Sequence, residues 1–376
     1  MNFAGLPFDA ETMLQGLIPW VMCESPTHDV AAVNAMLDLA SIDLAAMGAT
    51  IERIPGRMGF AGCVRARFPH PRFGEPGILI AGHFDTVHPV GTLQRLPVRR
   101  EGDLCYGPGI MDMKSGNYLA LEAIRQIARA GWQTPLPVTV LFTPDEEVGT
   151  PSARELIEQE AGRNRYVLVP EPSLTDNGVV TGRYAIARFN LRAEGRPSHA
   201  GAQLSAGRSA IREMARRILD IEAMTTRNCT FSVGIINGGE WVNCVPSTCT
   251  GQALSMARRQ EDLDAGVAAM LAMSGESDGA RFTVTRGVTR PVWEPDACGM
   301  ALYERAKAIA TELGFDLPHA SQGGGSDGNF TGAMGVPTLD GLGALGANAH
   351  TLNEHIVVNS LADRGRLFAG LLATLD

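Results

Sequence analysis

Three apolar runs in this chain each end in residues that can hold a cation or carry a proton. Gly77–Ala81 (GILIA) runs into His83-Phe84-Asp85, Pro137–Thr143 (PVTVLFT) into Asp145-Glu146-Glu147, and Arg165–Pro170 (RYVLVP) into Glu171. Asp112 lies on the Gly/Pro-rich stretch 107–112, just before a helical pattern, and His350 on a glycine-rich loop near the C-terminus. Histidine mixed with carboxylates suits zinc, with cobalt or manganese as alternatives; an all-oxygen set would suit calcium or magnesium. One ion needs three protein ligands and an open position, and this many candidates allow a pair sharing a carboxylate. Asp85 is placed to orient His83, because a ligating imidazole usually gives its second N–H to a carboxylate. In extended backbone the consecutive Glu146 and Glu147 point opposite ways, so one can bind metal while the other moves a proton. Each position alone has a plainer reading: a hydrogen-bonded core histidine, a solvated acidic turn, a turn residue between prolines, a helix cap. Together, at strand ends and on glycine loops, they are hard to explain without a metal.

The elements that must position these residues follow from periodicity. Thr27–Met47 reads as a helix with Thr27 as N-cap and Gly48 just past its end. Asn117–Ala130 is an amphipathic helix closed by Gly131, and Thr150-Pro151 reads as the start of another. Continuous apolar strands alternating with helices imply a largely parallel sheet covered on both faces, with ligands bound at the carboxyl ends of the strands. This pattern runs to about residue 180 and resumes near 291. Between them the alternation of Arg183–Ala193, helical stretches at 206–223 and 261–273, and strands at 230–237, 248–258 and 281–287 give the order β-α-β-β-α-β, which is ferredoxin-like. The fold class expected is therefore α/β: a catalytic domain with a mixed, mostly parallel sheet from residues 1–180 and 290–376, carrying an inserted α+β domain at 181–289.

Composition narrows the function classes. Lys plus Arg is 32 and Asp plus Glu is 41, a net charge of −9, which argues against a nucleic-acid partner. The 7 cysteines show no Cys-x-x-Cys spacing, so a reducing compartment fits better than a disulfide framework. No basic leader and no bilayer-length apolar run is present, so a soluble cytoplasmic protein without a membrane partner is expected. Gly341–Gly346 satisfies GxGxxG, but no convincing helix follows it. His88 and His355 read as supporting or surface residues.

The runs AGHFDTV, GPGIMDMKSG, DEEVGT, VPEPS, GRPSHAG, GGGSDG and AHTLNE, in that order, resemble the di-zinc exopeptidase and amidohydrolase family of glutamate carboxypeptidase, acetylornithine deacetylase, succinyl-diaminopimelate desuccinylase and aminoacylase. The resemblance spans nearly the whole chain. It implies a zinc-exopeptidase-like catalytic domain binding two zinc ions per chain, and hydrolysis of an amide-type C–N bond in a short peptide or small N-acyl substrate. It implies His83, Asp112, Glu147, Glu171 and His350 as metal ligands, with Asp112 bridging. Glu146 is implied as general base, Asp85 as the residue orienting His83, and the peptide after Asp112 as cis. The inserted domain resembles a lid and dimerisation domain, so a homodimer is expected, with His199 reaching the partner's active site and Asn243 contacting substrate. Gly323–Asp327, including Gly325 and Ser326, matches a loop facing the substrate. Many members grip the substrate carboxylate with an Arg on the lid strand; here Ser255 stands at the matching place, with Arg183 or Arg208 as candidate substitutes. That departure keeps open a non-peptide amide, carbamoyl or aryl-amine substrate. A metal-free scaffold is the remaining alternative, and the intact ligand set argues against it.

Overall fold

The structure, a computed structural model, describes residues 2–376. They divide into two units: residues up to Gly182 with Glu294–Gln322 and Ser326–Asp376, and Arg183–Trp293 with Gly323–Gly325. The first unit opens with α1 (Ala10–Met22), capped by Asp9, and α2 (Val30–Ala46), capped by Asp29, whose carboxylate accepts the Ala32 amide at 3.0 Å. The expected cap at Thr27 is corrected. Its hydroxyl donates to Asp85 Oδ2 at 2.8 Å, and the helix starts three residues later. Strands β1 (Thr50–Ile54), β2 (Cys63–Arg67) and β3 (Ile78–His83) follow, then the hairpin of β4 (Arg99–Glu101) and β5 (Leu104–Tyr106). Next come α3 (Ser115–Arg129), β6 (Val138–Thr143), α4 (Arg154–Ala161), β7 (Tyr166–Leu168) and β8 (Val179–Arg183). α4 does not begin at Thr150-Pro151. Thr150 has φ +61°, outside helical space, and its hydroxyl donates to Asp327 Oδ1 at 2.6 Å.

The second unit comprises β9 (Ala185–Glu194), α5 (Ala210–Ala223), β10 (Cys229–Gly238), β11 (Thr248–Ala257), α6 (Gln260–Ala272), β12 (Gly275–Ser277) and β13 (Ala280–Arg290). The sheet order is β10-β11-β9-β13-β12, antiparallel throughout. With α5 and α6, β9, β10, β11 and β13 give the ferredoxin-like arrangement that the order of elements predicts. Strand alternation buries Ala185, Ala187, Phe189 and Leu191 with Met214, Ile221 and Met270 of the helices.

The chain returns through α7 (Ala297–Glu312), β14 (His319–Gln322), α8 (Gly328–Ala333), β15 (Thr338–Leu339), β16 (Gly346–Ala347), β17 (His355–Val357) and α9 (Ser360–Thr374). The main sheet has the order β1-β2-β6-β3-β7-β15. β6, β3, β7 and β15 run parallel, and β1 and β2 add an antiparallel edge. β3 and β6 are buried along their whole length, which is why they read as unbroken apolar runs. Leu361, Leu367, Phe368, Leu371 and Leu372 of α9 are wholly buried, and each contributes about 1.5–3 kcal/mol relative to an exposed side chain. Neither α1 nor α9 is evident from the motif pattern. Among the described residues no helix is long and apolar enough to cross a membrane.

The register of β11 changes the meaning of Ser255. It lies opposite Ala187 of β9 and Phe231 of β10, is 1% exposed, and its hydroxyl is 3.3 Å from Cys229 Sγ. It therefore faces the helices, and Leu254 and Met256 take the other face, because side chains alternate with period two. A guanidinium here would enter the core of the second unit. Ser255→Arg is expected to lower stability by about 3–5 kcal/mol, the cost of an uncompensated buried charge, with no gain in affinity for carboxylate substrates. Urea unfolding of the variant checks the first and steady-state KM the second.

Candidate functional site

β3 is hydrogen-bonded on one side to β6 and on the other to β7, all parallel, so their carboxyl ends meet at one edge. His83 is the last residue of β3 and pairs with Thr143 at the end of β6. A Cβ at Gly82 would lie 2.0 Å from Asn117 Oδ1, so glycine admits α3 close enough for Asn117 to donate to the His83 carbonyl at 2.7 Å. β6 turns through Asp145 into a 3-10 turn at 146–148, and β7 passes through Pro170 to Glu171. Glu146 and Glu147 are thus in a tight turn, not in extended backbone. Their side chains nonetheless diverge: Glu146 Oε2 is 3.9 Å from His83 Nε2, and Glu147 Oε2 is 3.2 Å from His350 Nε2.

Asp112 joins the two halves of the cluster. Its Oδ1 is 3.2 Å from His83 Nε2 and its Oδ2 is 3.1 Å from His350 Nε2. Glu171 Oε1 is 3.6 Å from His83 Nε2. Two sets of potential ligand atoms result, His83–Asp112–Glu171 and Asp112–Glu147–His350, each with its atoms within 4.8 Å of one another. The Asp112–Met113 peptide is cis, and His350 has φ +65° on a tight turn. His83 Nδ1 meets the Asp85 backbone carbonyl at 2.9 Å and its carboxylate only at 3.4 Å. That carboxylate instead accepts the amides of Glu146 (3.0 Å) and Glu147 (3.2 Å), so it positions the acidic turn as well as the imidazole.

Such crowding has an electrostatic consequence. Burial and the Asp112 charge push Glu147 up to about 8 and Glu171 well above the usual carboxylate range. Burial opposes a charge on His83, but Asp112, Asp85, Glu171 and Glu146 outweigh it and hold its pKa well above that of a free imidazole. Hydrogen bonds donated by His350 to the Asp112 and Glu147 carboxylates raise its pKa to about 11. Asp112 is itself held low: its two histidines overcome the penalty of burial. Protons thus gather where a cation's charge would be more effective. His83 Nε2 is buried and makes no hydrogen bond, although three carboxylates surround it. Mixed imidazole and carboxylate donors with this nitrogen turned inward fit divalent ions of the zinc type.

The remaining expected residues lie elsewhere in the fold. His199 and Asn243 are neighbours on the second unit: the Asn243 carbonyl accepts the Ala200 amide at 3.0 Å, and both side chains are exposed. His199 Nδ1 accepts the amides of Gly201 (3.1 Å) and Ala202 (3.0 Å), so the neutral ring carries its proton on Nε2. Gly325 packs where any Cβ would lie 2.5 Å from Arg290 Cδ. Ser326 donates its amide to Asn329 Oδ1 (3.0 Å) and its hydroxyl to Asp340 Oδ2 (2.5 Å), both inside the first unit. Arg208 donates to the Ser205 and Gly207 carbonyls. The Gly341–Gly346 run opens no helix; the buried Arg364 gathers carbonyls of Asn177, Gly341 and Gly343 there, and the Gly343 amide donates to the Glu171 carbonyl at 2.7 Å. Sequence reasoning missed Glu354, which is 1% exposed and hydrogen-bonded to the loop bearing Asp112. The clue available was its place four residues after His350.

Residues 79–374 match peptidase family M20/M25/M40. The chain is 30% identical over 371 residues to carboxypeptidase G2 of Pseudomonas sp. (strain RS-16), covering 94% of this chain and 87% of that one. It is 26% identical over 324 residues to succinyl-diaminopimelate desuccinylase of Hydrogenovibrio crunogenus, covering 80% and 84%. A tripeptidase structure from Staphylococcus aureus superposes with a TM-score of 0.78 at 20% identity, covering 98% of this chain and 99% of that one. Saturating the cluster with a divalent cation should relieve its like-charge repulsion. Chelator-treated protein is expected to melt at lower temperature than zinc-loaded protein, since a ligand at 100 times its Kd stabilises by about 2.7 kcal/mol per site. Glu171→Ala, which removes a ligand from one of the two sets, should abolish about half of that difference in differential scanning calorimetry.

Proposed function

The chain belongs to peptidase family M20/M25/M40 and is a metal-dependent hydrolase of amide-type C–N bonds, and we propose that it acts through two zinc ions on short peptides or N-acyl amino acids. His83, Asp112 and Glu171 would hold one ion, and Asp112, Glu147 and His350 the other. The observation that carries this reading is the division of Asp112, one oxygen turned to each set of ligands. Bound there, the ions supply Lewis acidity that brings the pKa of water towards neutrality. Similarity to a carboxypeptidase and to a succinyl-diaminopimelate desuccinylase supports a substrate whose scissile amide joins an amino acid.

Glu146 is the proton carrier in this reading. It stands outside both ligand sets but only 3.9 Å from His83 Nε2, on a turn fixed by Asp85. It takes the proton of the attacking water and returns it to the leaving nitrogen. His199, with its proton on Nε2, would act in the partner subunit's site as donor to the developing oxyanion, and Asn243 beside it would contact substrate.

The second unit supports association into a homodimer. Its edge strand β10 exposes Ile235 and Ile236, the loop after it exposes Trp241 and Val242, and α5 exposes Ile211 and Leu219. All 7 cysteines are free thiols, which supports a reducing, cytoplasmic setting.

Glu146→Gln is expected to leave two zinc ions per chain bound and to lower kcat by at least about 10²–10⁴-fold, the range for a positioned acid–base group. Metal analysis beside single-turnover kinetics tests this; near-normal turnover would remove Glu146 from the role. His199→Ala should lower kcat by about 10²–10³-fold, as expected for loss of one oxyanion donor. Hydrolysis of N-acyl amino acids, dipeptides and C-terminal glutamates, run beside N-carbamoyl amino acids, identifies the substrate class. Cleavage of the carbamoyl compounds alone would overturn the proposed class.

A further inference from the structure

Glu354 is a buried carboxylate whose four hydrogen bonds come from one loop and one imidazole. Oε1 accepts the amides of Met111 (2.9 Å) and Asp112 (3.1 Å), and Oε2 accepts the Gly109 amide (3.1 Å) and meets His88 Nε2 (2.7 Å). The Glu354 carbonyl also accepts the Gly107 amide at 3.3 Å. Glu354 is 1% exposed and His88 6% exposed, so neither group has solvent to replace these bonds.

The same residue closes the turn that presents His350. Its amide donates to the Thr351 carbonyl at 3.3 Å, and the Thr351 amide donates to Asn348 at 3.2 Å. The Asp112 loop and the His350 turn therefore meet at one residue, the loop on its carboxylate and the turn on its backbone amide, although 238 residues separate Asp112 from His350 in sequence. The two ligand sets depend on this anchor unequally. In the first, His83 ends β3 and Glu171 follows β7, so two of three ligands are fixed by the main sheet. In the second, Asp112 and His350 both lie on segments tied to Glu354, and only Glu147 is held independently, through Asp85.

We infer that Glu354, braced by His88, is a positioning residue that sets the Asp112–His350 spacing and thereby the affinity of the Asp112–Glu147–His350 site for its cation. It touches neither substrate nor ion; it acts through three backbone amides. This rests on the two-ion reading above. An amide-clamped carboxylate suits the task, because charge-assisted hydrogen bonds in a dry site are short, strong and costly to leave unmade. Groups that orient ligands from outside commonly alter metal affinity when removed, by about 10- to 100-fold.

The test is stepwise zinc affinity of the full chain, measured by competition with a chelator, for wild type, Glu354→Gln and His88→Ala. Glu354→Gln keeps the size but turns one acceptor into a donor facing amide N–H groups. The expected result is two ions bound by wild type and, in Glu354→Gln, one affinity weakened by about 10- to 100-fold and the other, which shares only Asp112 with the anchored segments, weakened much less. His88→Ala, which keeps the carboxylate and its three amide donors, should weaken the same site by a smaller factor. It carries the test if Glu354→Gln does not fold. The visible spectrum of the cobalt-substituted variants should change more for one ion than for the other, and kcat should fall with KM little altered. Two affinities equal to wild type in the folded variants would overturn the inference and leave the two-ion reading standing. Equal weakening of both sites with a matching loss of thermal stability would overturn it too, as a merely structural role. A wild type that takes up no ion would sink both.

Discussion

Like charges held too close together are the constraint around which the first unit is built. Asp112, Glu146, Glu147 and Glu171 converge on two imidazoles, three of these carboxylates within 3.9 Å of a single buried nitrogen. In water such a group would spread apart. Here it cannot, because each member is fixed by an element with its own reason to be where it is. Parallel pairing of β6, β3 and β7 sets the ends of three strands side by side, and the packing of α3 through Gly82 and Asn117 keeps the central one in place. The sheet supplies the restraint that makes the electrostatic crowding durable, and the crowding makes the site a receptor for positive charge.

Around the cluster a second layer of acids works by another principle. Asp85 and Glu354 lie next to the ligand residues yet have their carboxylates filled by backbone N–H groups. Asp85 takes the amides of the Glu146–Glu147 turn, and Glu354 those of the Asp112 loop. Each holds a segment that has no regular secondary structure to hold it. Loops are otherwise the mobile parts of a fold; here the mobility is removed where a ligand must be placed to within fractions of an ångström. Thr27, Thr143 and Thr150 extend the layer, giving hydroxyl donors to Asp85 and Asp327.

The architecture was legible from the sequence where one periodicity ruled a whole element. Unbroken apolar runs marked β3 and β6, the alternation of 185–193 marked β9, and the acidic and histidine residues at strand ends marked the cluster. Reading failed where a polar side chain served a distant partner. Thr27 and Thr150 look like helix caps because a hydroxyl before a helical pattern usually is one; both point instead at buried carboxylates from other parts of the chain. Ser255 was placed by its match to a family motif, which does not reveal the face it occupies; the register of β11 turns it into the core of the second unit. Asp85 was read as a partner of the His83 ring, and the larger share of its bonding, to the amides of the next acidic turn, has no sequence signature. Glu354 shows a milder form of the same limit: its place four residues after His350 hints at the site, but its partners lie on a loop 245 residues away.

The path of the chain into and out of the second unit has a further consequence. Arg183 and Trp293 exchange both backbone hydrogen bonds, at 2.8 and 3.0 Å, so the segment between them leaves and re-enters through paired strands. Ends already clasped this way make the intervening stretch a cassette. Closing the gap after its removal would require almost no additional ordering of the chain, since loop-closure entropy grows only slowly with length and here the ends already touch. A longer, shorter or different cassette could therefore sit between the same two residues without disturbing the register of the first unit's sheet.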